Sequence, residues 1–191
     1  MVAFSLVFVV VIAVALVYLI RRKGVRRYEG GLLVLLGFFL SLAWQSITAS
    51  IAEKKQLNRQ VRLLQIEASE NRSILRQNIV ILESDIDRLS RGFVTIDPLS
   101  PFHVSTWNTL KFTNNSLVGR IGDFQRYAEV YTELNRMNEI ISYRERHRSV
   151  QDRTIAGLKT DDEHVLKYLK KLEPKMEWLG DCVENLEKQL R

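Results

Sequence analysis

The sequence predicts an all-α chain: an N-terminal two-helix transmembrane hairpin followed by an oligomeric helical-bundle or coiled-coil soluble domain. Three observations carry this. Two uncharged runs, Val2 to Ile20 and Gly30 to Ile51, each have the length of a bilayer span. Only 3 Pro and 9 Gly occur in 191 residues, too few turn formers for an all-β sandwich. Beyond residue 52, apolar residues recur at alternating spacings of four and three. The expected division is a hairpin over 1–52, with spans at about 2–20 and 30–51, and a helical domain over 53–191.

As helix, the first run is about 28 Å long and the second about 33 Å, against a hydrocarbon core of about 30 Å. Between them lies Arg21-Arg22-Lys23-Gly24-Val25-Arg26-Arg27-Tyr28-Glu29, a tight basic turn. The first run lacks the basic start and small-residue cleavage site of a signal peptide. The second run differs from the first in carrying Gly37, Ser41, Gln45, Thr48 and Ala52 at spacings of 4, 4, 3 and 4. That spacing places small and polar groups on one face. Two readings stay open: a helix-packing face, or a pore-lining stripe with Ser41, Gln45 and Thr48 facing the path and the first span facing lipid. Gln45 separates them, because an amide in mid-membrane needs a partner or water. The turn has five cations and the segment after the second span has four, Lys54, Lys55, Arg59 and Arg62. The positive-inside rule thus leans by one residue towards a cytoplasmic turn and does not settle orientation.

Charge divides the chain the same way. Residues 1–52 hold five cations and one acid, leaving 23 Lys and Arg against 21 Asp and Glu in residues 53–191. A domain so nearly balanced lacks the broad basic face that extended nucleic acid requires. One cysteine, Cys182, excludes an intrachain disulfide framework, and with three histidines it excludes a Cys-rich zinc site.

No Pro or Gly occurs from Phe38 to Arg91, so the second span is expected to run on into the soluble part. The expected core stripe is Leu57, Val61, Leu64, Ala68, Asn71, Leu75, Ile79, Leu82, Ile86 and Leu89, a heptad pattern with one stutter between Leu75 and Ile79. Asn71 reads either as a solvent-facing gap in the seam or as a selector of register and oligomer state. Gly92 is a C′ candidate that stops the helix. Asp97-Pro98 and Ser100-Pro101 mark a loop, and Ser100 before Pro101 suits an N-cap. A short helix through Trp107 and Leu110 follows, broken by Asn114-Asn115-Ser116. Another is expected from near Gly122, with Phe124, Tyr127, Tyr131, Leu134, Asn138 and Ile141 on one face, ending in Arg144-Glu145-Arg146-His147-Arg148. Thr160 with Glu163 forms a capping box for the last helix. Its seam is Val165, Leu169, Leu172, Met176, Leu179, Val183, Leu186 and Leu190, with Pro174 off the seam.

There is no dinucleotide fingerprint, P-loop, His-Glu-x-x-His or nucleophile elbow, so the expectation is no enzyme, no cofactor and no metal. Cys182 at a seam edge reads as a small hydrophobe. Two features could hold a ligand. Arg144, Arg146, Arg148 and Arg153, with His147 among them, offer guanidinium forks to phosphate, or else a solvated helix end. Trp107 and Asn108, with Lys111, could stack on and read a base, or Trp107 could anchor a core.

Ser105-Thr106-Trp107-Asn108-Thr109-Leu110, Asn115-Ser116-Leu117 and the run Tyr127 to Ile141 resemble a segment of small prokaryotic membrane-anchored proteins, some of which accompany antiviral systems. The layout as a whole is similar to the two-span membrane effector of type III CRISPR systems. A long, narrow helical domain on a hairpin buries little surface alone, so a homo-oligomer is expected, with a tetramer as the guess; the resemblance implies a prokaryotic inner or plasma membrane. It also implies multi-pass topology, a cytoplasmic helical domain that senses a cyclic oligoadenylate, and a second span that perturbs the bilayer. The alternative is a noncatalytic membrane-anchored coiled-coil scaffold for a protein partner.

Overall fold

A computed structural model describes residues 11, 14, 15, 17, 18, 29–93, 96–113, 123–148 and 155–190. All regular structure among them is helical: α1 (Glu29–Ser90), α2 (Ser105–Thr113), α3 (Phe124–Arg148) and α4 (Ile155–Leu190). The chain divides into two compact units, Met1–Leu57 and Asn58–Arg191.

In the first unit, Val11, Val14, Ala15, Val17 and Tyr18 are helical. The rest of the expected first span and the basic turn from Arg21 to Tyr28 lie outside the described residues. α1 is the one described helix long and apolar enough to cross a membrane. Its apolar side chains Leu33, Val34, Leu35, Phe38, Leu40, Leu42 and Trp44 are all exposed. An exposed apolar surface of this length marks a face that meets lipid or another apolar partner.

In the second unit the helices bury one another's apolar faces. α1 ends as the glycine predicts. Gly92 takes φ +89°, where a side chain would be strained. The Gly92 N–H donates to Leu89 O at 3.1 Å and the Phe93 N–H to Arg88 O at 3.1 Å, which satisfies the last carbonyls in a Schellman arrangement.

The buried residues of α1 correct the expected stripe. Beside Glu67, they run Leu57, Val61, Leu64, Ala68, Asn71, Leu75, Asn78, Leu82, Asp85 and Leu89, an unbroken four–three alternation. Asn78 and Asp85 occupy the positions expected of Ile79 and Ile86, which are only half-buried. There is no stutter. The reason is what packs there: a peptide strand with polar backbone groups, described below, rather than another apolar helix face. Asn71 is not a solvent-facing gap, because it is fully buried and bonded within its own chain.

Two expected helix starts are also displaced. α2 begins at Ser105, not after Ser100, because the backbone N–H groups of residues 100, 102 and 103 are already held by side chains. α4 begins at Ile155, so Thr160 lies inside the helix rather than at its start. α3 starts at Phe124, with the Asp123 carbonyl accepting from the N–H groups of Arg126 and Tyr127. The seam of α4 is buried from Val165 to Val183, and Asp162 extends it by a turn. Pro174 sits inside the helix and exposed, off that seam. Asn114-Asn115-Ser116 lies outside the described residues.

Candidate functional site

Residues 96–104 form a non-helical strap between α1 and α2, with two prolines that cannot donate. Buried backbone donors need partners, and here side chains of α1 and α3 supply them. The Asp97 N–H donates to both oxygens of the Asp85 carboxylate, at 3.2 and 3.1 Å, and the Leu99 N–H to Glu145 Oε1 at 3.2 Å. Three asparagines each clasp one strap residue twice, giving Nδ2 to its carbonyl and taking its N–H on Oδ1. Asn78 holds Ser100 (2.8 and 2.9 Å), Asn138 holds Phe102 (2.8 and 2.7 Å) and Asn71 holds His103 (2.7 and 2.7 Å). Every N–H from Asp97 to His103 therefore ends on a side chain. The buried Glu67 carboxylate then accepts from the Thr106 and Trp107 N–H groups at 2.8 and 3.3 Å, capping α2 from a different helix.

At the far end of the strap stands Arg144. Its side chain is 4% exposed, and among the described residues its guanidinium reaches Asp85, Asp162, Asp97 and Glu145. Nη2 donates to Asp85 Oδ2 at 2.7 Å and Nε to Asp162 Oδ1 at 2.7 Å. Nη1 donates to the Asp97 carbonyl at 2.8 Å and to Glu145 Oε1 at 3.3 Å. Arg88 adds a second cation, bonding Asp85 Oδ1 at 2.7 Å and the Asp97 carboxylate. Burial pushes the Asp85 carboxyl above its ordinary value, against the pull of the Asp97 N–H and Arg144. Burial opposes the charge on Arg144, but Asp162 and Asp85 outweigh it, and its pKa stands above the usual guanidinium value.

Of the phosphate cradle expected of the arginine run, Arg144 is the member held elsewhere. Arg144 is a structural cation spent on internal carboxylates. Arg146 is exposed on a different face of α3 and donates to the Ser142 carbonyl at 3.3 Å. The side chains of His147 and Arg148, and all of Arg153, lie outside the described residues. Trp107 is corrected too. It is 3% exposed and stacks on Tyr131, with centroids 5.0 Å apart, and on Tyr127, with Phe124 tilted against it at 5.1 Å. No open ring face remains for a base. Asn108 is half-buried, with Oδ1 lacking a bond, and the Lys111 side chain is outside the described residues. Trp107 also packs beside Tyr131, about 20 Å along α3 from Arg144. Trp107 and Arg144 thus belong to different parts of the bundle. Around the same core, burial raises the Tyr127 and Tyr131 phenols, and the Glu67 carboxylate raises Tyr131 further. Burial and then Asp123 and Asp181 raise the Cys182 thiol.

In the first unit, two faces of α1 separate cleanly. Leu36, Phe39, Ala43, Ser46, Ile47 and Ser50 are half-covered. Gly37, Ser41, Gln45, Thr48 and Ala52 are exposed. At 100° per residue the two sets centre on opposite sides of the helix. The Thr48 hydroxyl is satisfied locally, donating to the Trp44 and Gln45 carbonyls at 3.0 Å. The Gln45 amide makes no side-chain hydrogen bond among the described residues.

The sequence signal for the buried network was faint but present. Asn71, Asn78 and Asp85 recur every seven residues within an apolar heptad, opposite a segment with two prolines. No family model matches the chain, and comparison with curated proteins and with solved structures finds no match either.

Proposed function

We propose that the chain is a membrane-anchored, self-associating helical protein that acts through the bilayer and through protein contacts rather than through a catalytic centre. The observation that carries this is the exposed apolar length of α1, with a polar stripe on the side away from its half-covered face. In hydrocarbon an unpaired Gln45 amide is costly, and a second copy of the same helix supplies an identical amide to bond with. In the second unit the strap's backbone donors and the Arg144 charge are held internally. Membranes from expressing cells, washed at alkaline pH, test the anchor: the protein stays with the lipid. Release into the supernatant would contradict the proposal.

A second reading shares the membrane half. Here the helical domain senses a cyclic oligoadenylate and the second span breaches the bilayer, in a prokaryotic antiviral setting. Its support is the resemblance of layout, the polar stripe and the exposed Arg146; Arg144 and Trp107 contribute nothing to it. A melting shift with cyclic oligoadenylates and none with linear RNA, together with ligand-triggered leakage from liposomes, would favour it over the scaffold.

A further inference from the structure

The positive charge of the chain is concentrated at the two ends of the second apolar run. The turn before it carries five cations and one acid, Glu29. Residues 53–66, just after it, hold four cations, Lys54, Lys55, Arg59 and Arg62, and one acid, Glu53. Residues 67–191 hold 19 Lys and Arg against 20 Asp and Glu, so beyond this segment the helical domain has no positive excess. All four cations stand on α1, all are exposed, and none is ion-paired among the described residues. Along the helix Lys54 and Lys55 lie about 5–6 Å past Ile51, Arg59 about 12 Å and Arg62 about 17 Å. A headgroup layer is about 5–8 Å thick on each side of the hydrocarbon, and at physiological salt charges act over about 8 Å beyond it. Long Lys and Arg stems also reach back towards it. At 100° per residue Ile51, Lys55, Arg59 and Arg62 fall within an arc of about 80°, on the side away from the buried Leu57, Val61 and Leu64. Packing on that seam leaves the cationic face open.

We propose that this face binds the phosphate groups of anionic phospholipids, so that α1 is fixed in the bilayer by charge as well as by apolar length. Four exposed side chains spread along a helix make no cradle for a lone phosphate in solution. A headgroup layer instead presents many phosphates in one plane, held there by their acyl chains, and each Lys or Arg near it strengthens attachment about fivefold. A zwitterionic headgroup carries its phosphate beside a fixed ammonium and has no net charge to offer, so the preference is for acidic lipid. The one acid of the segment, Glu53, lies on the opposite side of the helix from Lys55 and Arg62. The inference rests on the membrane reading and adds its lipid partner.

Local lipid preference at position 51 tests it. The full-length protein carries Ile51→Cys in a Cys182→Ser background, labelled with bimane, in vesicles of equal phosphatidylglycerol and phosphatidylcholine. Chain-brominated phosphatidylglycerol should quench the label more than chain-brominated phosphatidylcholine, with a preference of about fivefold or more. Replacing Lys54, Lys55, Arg59 and Arg62 together by Gln should bring the two lipids level. Lys167→Gln, an exposed cation of α4, should leave the preference unchanged. Inorganic phosphate should do no more than chloride of the same ionic strength. Equal quenching by both lipids with all four cations in place would overturn the inference and leave the anchor standing. So would a preference that survives the fourfold replacement, one lost with Lys167→Gln, or one that phosphate but not chloride removes, which would mark a free-phosphate site. No quenching by either lipid would show that position 51 meets no bilayer, and would overturn the anchor reading and this inference together.

Discussion

Arg144 and Arg146 are two residues apart and opposite in role. Replacing Arg144 by Met strands the Asp85 and Asp162 carboxylates in the interior and leaves the Asp97 carbonyl short of a donor. Breaking such a buried pair by removing one partner costs about 3–5 kcal/mol. Arg146→Ala removes an exposed side chain and should fall within about 0.5 kcal/mol of wild type. Urea unfolding of the full chain in detergent, followed by helix signal, checks both. Equal effects would mean that the Arg144 network contributes nothing. The comparison also bears on ligand binding: any loss of anion affinity in an Arg144 variant is confounded by unfolding, so Arg146 is the informative position. Nothing in the local sequence distinguishes the two. Asp85 and Asp162, the acids that fix Arg144, lie 59 and 18 residues away, and a run of arginines at a helix end gives no hint of them.

The heptad register of α1 makes a prediction at the scale of the element. Asn78→Leu is apolar and of similar size, yet it leaves the Ser100 N–H and carbonyl unpaired and should cost about 2 kcal/mol or more. Ile79→Gln, at a half-buried position, should cost under about 1 kcal/mol. The reverse order would restore the stutter. For α4, Leu172 and Leu179 are buried within the single chain. Changing both to Asp should therefore unfold the bundle, seen as lost helicity, rather than release folded monomers in sedimentation. Helices were legible wherever the core partner is another helix: the α4 seam, the aromatic face at the start of α3 and the Gly92 stop all follow from apolar periodicity and glycine chemistry. Legibility failed where the partner is the strap. A reader of hydrophobic pattern takes Ile79 and Ile86 over Asn78 and Asp85, because apolar burial is local information and the need to satisfy a distant backbone is not. The same blindness misplaced the start of α2, whose cap comes from Glu67 on α1. It also offered Trp107 as a base platform when Tyr131 and Tyr127 already cover it.

For the whole molecule, the claim is that copies meet through the polar stripe of α1 in the bilayer. Gln45→Leu removes the amide that hydrocarbon penalises. It should weaken self-association by about 0.6–2 kcal/mol per helix pair, read as a several-fold shift in the monomer–oligomer balance in detergent. Val34→Leu, an exposed apolar exchange on the same helix, should shift nothing. If the stripe also lines a path, Gln45→Leu should suppress liposome leakage without changing affinity for the ligand that triggers it. The most direct test of the contact uses single cysteines placed along α1 in a Cys182→Ser background, with oxidation in liposomes. Cysteines at Ser41, Gln45 and Thr48 should give disulfide-linked dimers, and cysteines at Ala43, Ser46 and Ile47 should not. Cross-linking that is strongest on the Ala43 face, or equal at all six positions, would contradict a stripe-mediated assembly.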